Sequence, residues 1–314
     1  MTRQITRTFM VGALAVSVLA TAGCGGATAA TYAPTVGIGD NSHQMFLDAD
    51  HRSLKTKIAR KIIPYDFRHH KHERDSLDAW MKAARAAGVE PHIAFNHSVN
   101  YPTKLPSVSN FQASLRHLKK NYPELRVFTP WNEANHRSQP TKTNPARAAQ
   151  YYNAARRICT DCKIVAADVL DQANMLPWIA TFRKTAYKPK IWGLHSYVDA
   201  QRNRAYRNSN TRKFVNAVPG EVWLTEVGGI VALGRVYSYS ESRAAQGVKA
   251  TLKLSLGDRR IKRVYLYSWF GTSQPHRKPY LWDSGLASWD GKPRPGFFAL
   301  RSWLKSHPSA LVKK

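Results

Sequence analysis

Two glutamates each follow a short apolar run, at the point where a buried strand would end. Glu133 follows residues 126–132, and Glu226 follows residues 221–225. Runs of this length, rich in β-branched and aromatic residues, predict strands of a buried parallel sheet. Packing does not require a carboxylate there, although a single glutamate at a strand end is often only solvated. If both strands belong to one barrel, the two carboxylates can face each other across its mouth.

A facing pair of carboxylates suits the hydrolysis of a glycosidic bond. One carboxyl group holds a proton for the leaving oxygen, and the other attacks or stabilises the anomeric carbon, where positive charge develops. A neighbouring arginine keeps the attacking group ionised, and a less polar site raises the pKa of the acid. This chemistry requires a scaffold that brings distant strand ends together.

The rest of the chain predicts such a scaffold, because strands alternate with helices or with loops long enough for a crossover. The predicted strands are residues 35–39, 59–63, 92–95, 126–133, 163–169, 191–197, 221–226 and 263–270. The predicted helices are residues 75–87, 109–122, 145–158, 175–185, 240–256 and 296–306, with a polar loop at 201–212. This alternation indicates a parallel sheet of the α/β class, and eight units fit a single (β/α)8 TIM barrel. A doubly wound open sheet is the alternative, but the chain lacks a complete Gly-x-Gly-x-x-Gly turn.

In a barrel of this kind, the active site lies at the C-terminal ends of the strands. The polar and aromatic residues predicted there are Arg60, Asp66, Asn96, His97, Trp131, Asn132, Glu133, Asp168, Asp171, His195, Tyr197, Glu226 and Trp269. Asp168 and Asp171 are interpreted as caps or loop anchors, because that is the commoner role of aspartate at such positions. Trp131 is open between core and site, and His195 has the alternative of a satisfied core histidine.

Two of these strand ends carry a family resemblance. Trp131-Asn132-Glu133 on the fourth strand and Leu224-Thr225-Glu226 on the seventh resemble the signature of glycoside hydrolase clan A, whose members are retaining (β/α)8 enzymes. The supporting residues of the family 5 type are matched, in order along the chain, by Arg60, His97, Asn132, His195-Ser196-Tyr197 and Trp269. Families 5, 39 and 128 of the clan all remain open.

The resemblance implies a role for each matched residue. Glu133 would be the general acid and base, and Glu226 the nucleophile. Asn132 would hydrogen-bond the sugar 2-hydroxyl, while Arg60 and Tyr197 would position Glu226.

The remaining matches would contact the carbohydrate substrate. Trp269 would stack on the sugar, and His97 and His195 would bind sugar or carboxylate. The resemblance implies no metal or other cofactor, and the neighbouring histidines at 69, 70 and 72 are interpreted as solvated.

Residues 1–30 have the pattern of an export signal. Arg3 and Arg7 precede an apolar run over residues 9–20, and small residues follow it. The run is too short for a membrane span, and no later stretch predicts one. We therefore expect a secreted or cell-surface protein whose residues 31–314 form one catalytic domain. Residues 21–24 resemble a bacterial lipoprotein box, so a lipid anchor at Cys24 is an alternative to cleavage after residue 29 or 30.

Cysteine usage and charge add two expectations. Cys159 and Cys162 form a Cys-x-x-Cys pair, which in an exported protein favours a structural disulfide over redox or zinc chemistry. The formal net charge is +28 and is spread along the whole chain. A field of this strength suits an anionic cell-wall glycan, whereas the absence of a recognisable motif argues against nucleic acid. A monomer is expected. The alternative functions are a barrel that only binds such a glycan and a transglycosylase that uses the same residues.

Overall fold

A computed structural model describes residues 32–273 and 281–313 of the chain. In these two ranges no helix is long and apolar enough to cross a membrane. The predicted export signal over residues 1–30, with the possible lipid anchor at Cys24, lies outside the described residues.

The described residues form eleven strands and nine α-helices. The strands are β1 (Thr35–Gly39), β2 (Ile58–Pro64), β3 (Glu90–Asn96), β4 (Val127–Thr129), β5 (Lys163–Ile164), β6 (Asp168–Leu170), β7 (Ile191–His195), β8 (Glu221–Val227), β9 (Ala232–Leu233), β10 (Ile261–Tyr267) and β11 (Trp282–Asp283). The helices are α1 (Ala49–Ser53), α2 (Lys71–Ala86), α3 (Val108–Asn121), α4 (Pro145–Ile158), α5 (Met175–Thr185), α6 (Tyr197–Gln201), α7 (Asn210–Ala217), α8 (Glu241–Ser255) and α9 (Pro295–Ser306). Short 3-10 turns cover His43–Leu47, Phe67–His69, Tyr206–Asn208 and Pro308–Leu311.

Nine strands pair in parallel in the order β5-β4-β3-β2-β1-β10-β8-β7-β6. The two ends of this sheet, β5 and β6, belong to one continuous segment. Within it the amide of Val165 donates to the carbonyl of Phe128 at 3.0 Å, and that of Ala166 donates to the carbonyl of Ile191 at 2.8 Å. The segment therefore joins β4 on one side to β7 on the other and closes the sheet. The predicted (β/α)8 barrel is confirmed.

The predicted helices α4 and α5 have the predicted bounds. Helix α2, in contrast, begins at Lys71 rather than at Asp75. Its first turn is entirely polar, so apolar periodicity could not indicate it. It ends as predicted before Gly88, whose φ of +64° suits glycine.

The polar tract at 201–212 is not one loop. Residue Ser209 caps α7 by accepting a hydrogen bond from the amide of Arg212. The sixth predicted strand ends at His195, so that Tyr197 already begins α6. Strands β9 and β11 form a separate antiparallel pair that the sequence did not indicate.

The interior of the barrel has one layer of apolar and aromatic side chains and, nearer the C-terminal ends of the strands, a polar layer. Ile58, Val127, Trp223 and Tyr265 lie on four different strands, and Val165 directly follows β5. All five form one buried cluster, which is possible only inside the barrel. Side chains on the same face of a strand recur every second residue. Arg60, two residues after Ile58, therefore also points inward and lies one layer nearer the C-terminal end.

Candidate active site

Arg60 is the centre of a buried polar cluster at the C-terminal end of the barrel. Its side chain is 1% exposed. Nη1 donates to Glu226 Oε2 at 2.9 Å, and Nη2 donates to Asn132 Oδ1 at 2.6 Å and to Asp168 Oδ2 at 2.7 Å. A buried guanidinium is stable only when anionic and polar partners surround it. One arginine on β2 thus draws together residues from three other parts of the barrel.

Asp168 is part of this cluster and not a cap. It lies on β6 with no exposed surface, and its second oxygen accepts a hydrogen bond from Thr225 Oγ1 at 2.8 Å. The neighbouring strand makes room for it with Gly193, where a β-carbon would collide with Asp168 Oδ1. The interpretation of Asp168 as a cap is therefore wrong. The missed signal was an aspartate inside an apolar strand, far from any helix start.

The two glutamates meet beside His195. The imidazole Nδ1 lies 3.2 Å from Glu133 Oε1 and 4.0 Å from Glu226 Oε2. One carboxylate oxygen of each glutamate and one imidazole nitrogen all lie within 4.8 Å of one another. The other nitrogen, Nε2, lies 3.7 Å from Asp168 Oδ2. His195 is fully buried, and it faces three carboxylates.

The backbone at Glu133 is strained. Its φ is +46°, in the left-handed region that non-glycine residues seldom adopt. Hydrogen bonds on either side hold this conformation: the amide of Asn132 donates to the carbonyl of Phe95 at 2.7 Å, and that of Ala134 donates to the carbonyl of Asp168 at 2.8 Å. Strain of this kind is concentrated at functional sites, where it aims a side chain. Here it aims the Glu133 carboxylate at His195.

Glu226 is bound through both of its oxygens. Oε2 accepts from Arg60, and Oε1 accepts from the Tyr197 hydroxyl at 3.1 Å. Burial raises the pKa of Glu226, and the charge of Glu133 adds to that effect against the opposing charges of His195 and Arg60. The pKa of Tyr197 is raised well above its ordinary value by burial and by the charge of Glu226. Tyr197 therefore stays protonated and serves as a donor.

The charges of the cluster favour a proton on His195. Burial lowers its pKa, but the charges of Glu226, Asp168 and Glu133 outweigh burial and raise it to about 9. Burial likewise raises the pKa of Glu133, yet the hydrogen bond and charge of His195 bring it below its usual value. Arg60 holds the pKa of Asp168 well below its usual range despite burial. The free site thus keeps its proton on His195, next to Glu133.

A cavity of about 580 Å³ opens over this cluster. Its polar lining includes Asn132, Glu133, Tyr197 and Glu226. Apolar and aromatic residues also line it, among them Ile230, Leu233, Tyr237, Tyr267 and Trp282. Trp282 lies on β11 with its ring edge-on to Tyr197, 4.8 Å between centroids. A pocket with a few convergent polar groups and an aromatic wall suits a sugar ring.

Trp269 does not line this cavity, which corrects its expected role as a stacking platform. Its side chain is 0% exposed and packs edge-on against His51 and Phe297. The physical reason is that β10 ends at Tyr267, three residues before the predicted end of the strand. The chain then turns, the amide of Trp269 donates to Asp40 Oδ2, and the indole enters the core. Tyr267 and Trp282 are the rings that face the cavity.

His97 is also placed apart from the two glutamates. Its Nδ1 lies 3.0 Å from the carbonyl of its neighbour Ser98, and it is not among the residues that line the cavity. Trp131 belongs to the core, because its ring stacks on Tyr151 and its Nε1 donates to Gln139 Oε1 at 3.0 Å. Of the matched residues, the structure therefore brings Arg60, Asn132, Glu133, His195, Tyr197 and Glu226 together, and leaves His97 and Trp269 outside.

Within residues 32–273 and 281–313, two groups of residues have the donor atoms of a metal site. Cys159 and Cys162 are joined in a disulfide, as predicted, so their sulfurs are not free to bind a metal. Glu133, His195 and Glu226 are close enough to share an ion. The Arg60 guanidinium, however, already supplies positive charge to Glu226, and this disfavours a cation beside it.

Comparisons with known proteins identify a family and a fold for the chain. A family model described as "Glycosyl hydrolase catalytic core" matches residues 101–296, more than half of the chain. No curated protein sequence matches the chain.

Among solved structures, GH5_18 from Streptomyces cattleya in complex with GlcNAc has 18% identity and a TM-score of 0.65, covering 89% of this chain and 81% of its own. Native xylanase 10B from Thermotoga maritima has 11% identity and a TM-score of 0.62, covering 87% and 95%. The GH39 enzyme from Xanthomonas axonopodis pv. citri has 14% identity and a TM-score of 0.60, covering 88% and 68%.

At these identities the solved structures show a shared fold. The resemblance to clan A that the strand-end motifs indicated is confirmed by the family model and the fold together. The matched range contains Glu133, His195 and Glu226. The chain belongs to the glycosyl hydrolase catalytic core family.

Proposed function

We propose that the protein is a secreted, retaining glycoside hydrolase that cleaves O-glycosidic bonds of a poly- or oligosaccharide. The observation that carries the proposal is the approach of Glu133 and Glu226, which have oxygens within 4.8 Å of each other. Retaining enzymes hold their two carboxyl groups about 5–5.5 Å apart, whereas inverting enzymes need about 6.5–9.5 Å to admit a water between carboxylate and sugar. The observed spacing supports the retaining reaction.

In the first step, a carboxylate oxygen of Glu226 attacks the anomeric carbon. The bond from that carbon to the glycosidic oxygen breaks, and the oxygen leaves with the proton of Glu133. The product is a covalent ester between the sugar and Glu226. Arg60 and Tyr197 hold the attacking carboxylate in place, since each contacts a different oxygen of it.

In the second step, Glu133 is ionised and accepts a proton from a water molecule. The water oxygen bonds to the anomeric carbon as the ester bond to Glu226 breaks. Two inversions at the same carbon leave its configuration unchanged. Glu133 returns the proton to His195 through their 3.2 Å contact, so the cycle ends with His195 protonated and both glutamates ionised.

His195 supplies the proton that the first step requires. In the free site the proton is favoured on His195, whose Nδ1 lies 3.2 Å from Glu133 Oε1. As negative charge develops on the leaving oxygen, the proton can pass through this contact to Glu133 and on to that oxygen. Glu133 thus acts as the donor although its own pKa is lowered.

The test is Glu226→Gln, assayed on a panel of neutral and acidic oligosaccharides together with the parent protein. Loss of the nucleophile is expected to lower kcat on the order of 10⁴-fold or more. The matched control is Glu124→Gln, which changes a glutamate that pairs with Arg85 on the surface. Near-parental activity of Glu226→Gln would contradict the proposal.

Product analysis by proton NMR completes the test, because a retaining enzyme first releases the anomer that has the substrate's configuration. A transglycosylase would share the covalent intermediate but transfer the sugar to an acceptor. The same spectra distinguish these two outcomes. Secretion rests on the signal pattern of residues 1–30, and a monomeric state is part of the proposal.

A further inference from the structure

A second cavity, of about 590 Å³, lies at the same end of the barrel. It is formed by the segments that follow β2 and β3 and by the first turns of α3 and α4. Tyr65, Arg68, Tyr101, Lys104 and Arg147 are among its lining residues. The mechanism proposed above uses none of them.

Among the residues that the structure describes, no carboxylate pairs with Arg68, Lys104 or Arg147. The Nε of Arg68 is buried without a hydrogen-bond partner, and Arg147 Nη1 donates to the carbonyl of Pro106 at 2.9 Å. A guanidinium that lines a cavity without a carboxylate partner favours a ligand that carries negative charge and accepts hydrogen bonds.

The acidic residue in the cavity lining, Asp66, is already engaged. It accepts hydrogen bonds from Ser98 Oγ at 2.5 Å and from the amide of Val99 at 3.2 Å, and it lies 3.3 Å from His70 Nε2. Its charge is therefore partly compensated within the fold. The remaining potential of the cavity is positive.

The positive charges around the cavity also act on a nearby histidine, His117. The pKa of His117, whose ring packs against Phe67, is lowered by partial burial and by the charges of Arg68 and Arg74. A positive field disfavours the charged imidazole and attracts anions.

Aromatic rings complete the cavity. Tyr101 is 64% exposed, and the ammonium of Lys104 lies 5.7 Å from its ring centroid. Tyr65 stacks at 6.0 Å on Trp131, which precedes Glu133 by two residues. An exposed ring beside a cation suits a sugar that carries an acidic group. The contact of Tyr65 with Trp131 connects the cavity to the segment that holds the catalytic carboxylate.

We propose that this basic cavity binds an acidic sugar of the glycan, either a uronic acid or a sugar phosphate. Another part of the same glycan molecule then occupies the site of Glu133 and Glu226. Arg68 and Arg147 hold the anionic oxygens, because guanidinium groups match carboxylate and phosphate in shape and charge. Lys104 adds charge, and Tyr101 carries the sugar ring. The inference rests on the proposed function and specifies its substrate class as an acidic glycan.

The first experiment measures binding without turnover, by calorimetry on the Glu226→Gln variant. The probes are tetragalacturonate, its fully methyl-esterified form, and a tetrasaccharide with one 6-phosphate. Binding of an acidic probe is expected to be at least about tenfold tighter than that of the ester, and to weaken as salt is added. The tighter of the two acidic probes identifies the anionic group. Equal affinity for the acid and ester forms would overturn the inference.

The second experiment places the site. Arg68→Gln, Lys104→Gln and Arg147→Gln are each added to Glu226→Gln, and each is expected to weaken the tighter acidic probe by about tenfold. Lys104 is exposed, so its variant tests the site even if an arginine variant fails to fold. The charge-matched controls are Lys188→Gln and Lys190→Gln, each added singly to Glu226→Gln. Both lysines line a different cavity together with Cys159 and Cys162. Equal weakening by the controls would show a general field and overturn the site.

The outcome separates this inference from the proposed function. Acid-selective binding at the basic cavity, with no hydrolysis by the parent protein, would contradict only the hydrolase. Hydrolysis by the parent protein without acid-selective binding would contradict only the basic cavity.

Discussion

Arg60 and Asp168 form an ion pair in which both side chains are almost completely buried, with 2.7 Å between Nη2 and Oδ2. Asp168 shares the arginine with Glu226, so the buried guanidinium does not depend on the reacting glutamate alone for compensation. When Glu226 becomes an ester during the reaction, Asp168 remains ionised beside Arg60. The pair keeps the site stable through the cycle.

Removing the charge of Asp168 should therefore destabilise the fold. Asp168→Asn leaves a buried guanidinium short of one anion, and we expect a loss of about 3 kcal/mol in the free energy of unfolding, measured by urea denaturation. The control is Asp75→Asn, which removes an exposed ion pair with Lys71 and should give no resolvable change. A variant at position 168 as stable as the parent would show that Glu226 alone balances Arg60.

Glu133→Gln should give a defect that depends on the leaving group. Glutamine cannot donate the proton, so cleavage of an oligosaccharide is expected to slow by about 10²–10⁴-fold. A dinitrophenyl glycoside needs no proton to leave, and its first step should stay near the parental rate. Stopped-flow release of dinitrophenolate measures that step. An equal loss on both substrates would mean that Glu133 is not the acid.

His195 should set the alkaline limit of activity. The shared proton is retained until pH rises through the pKa of His195, about 9. In His195→Gln the cluster loses the group that lowers the pKa of Glu133, so the proton must stay on Glu133 itself. We expect the alkaline limb of kcat/KM to move to lower pH, while His72→Gln, at an exposed position, leaves it unchanged. An unmoved limb in His195→Gln would exclude the proton transfer.

The same shift affects stability, and its sign follows from linkage. The pKa of His195 is raised in the folded state from 6.5 to about 9. Its contribution to stability is therefore fully present below pH 6.5 and is lost as pH rises through 9, with an upper bound of roughly 3 kcal/mol. Urea denaturation at pH 6 and pH 9.5 should show a smaller difference for His195→Gln than for the parent. An equal difference would assign the loss to other groups.

Trp282 and Trp269 should respond in opposite ways to truncation. Trp282→Ala removes part of the cavity wall and should raise KM with little loss of stability, because the ring is only partly buried. Trp269→Ala leaves a void in the core and should lower the free energy of unfolding by about 3–5 kcal/mol. Thermal denaturation and initial rates measure both effects. The reverse pattern would restore Trp269 as the sugar platform.

Local patterns predicted most of the elements. Pro145 in a first-turn position indicates the start of helix α4, and residues 35–39 predict β1 with the bounds that the structure has. The sequence did not predict the start of two helices, because no local pattern marks them. The polar first turn of α2 has no periodicity. Helix α7 begins inside the arginine-rich tract and has Thr211, Phe214 and Val215 buried.

The sequence by itself determined the barrel, the two strand-end glutamates and the family resemblance, because hydrophobic periodicity and short motifs are written within a few neighbouring residues. Only the tertiary structure decided which side chains meet. Arg60 and Glu226 are 166 residues apart, and their contact depends on the closure and register of the whole sheet. The same closure placed Asp168 beside Arg60 and turned Trp269 into the core. It also gathered Arg68, Lys104 and Arg147 around one cavity.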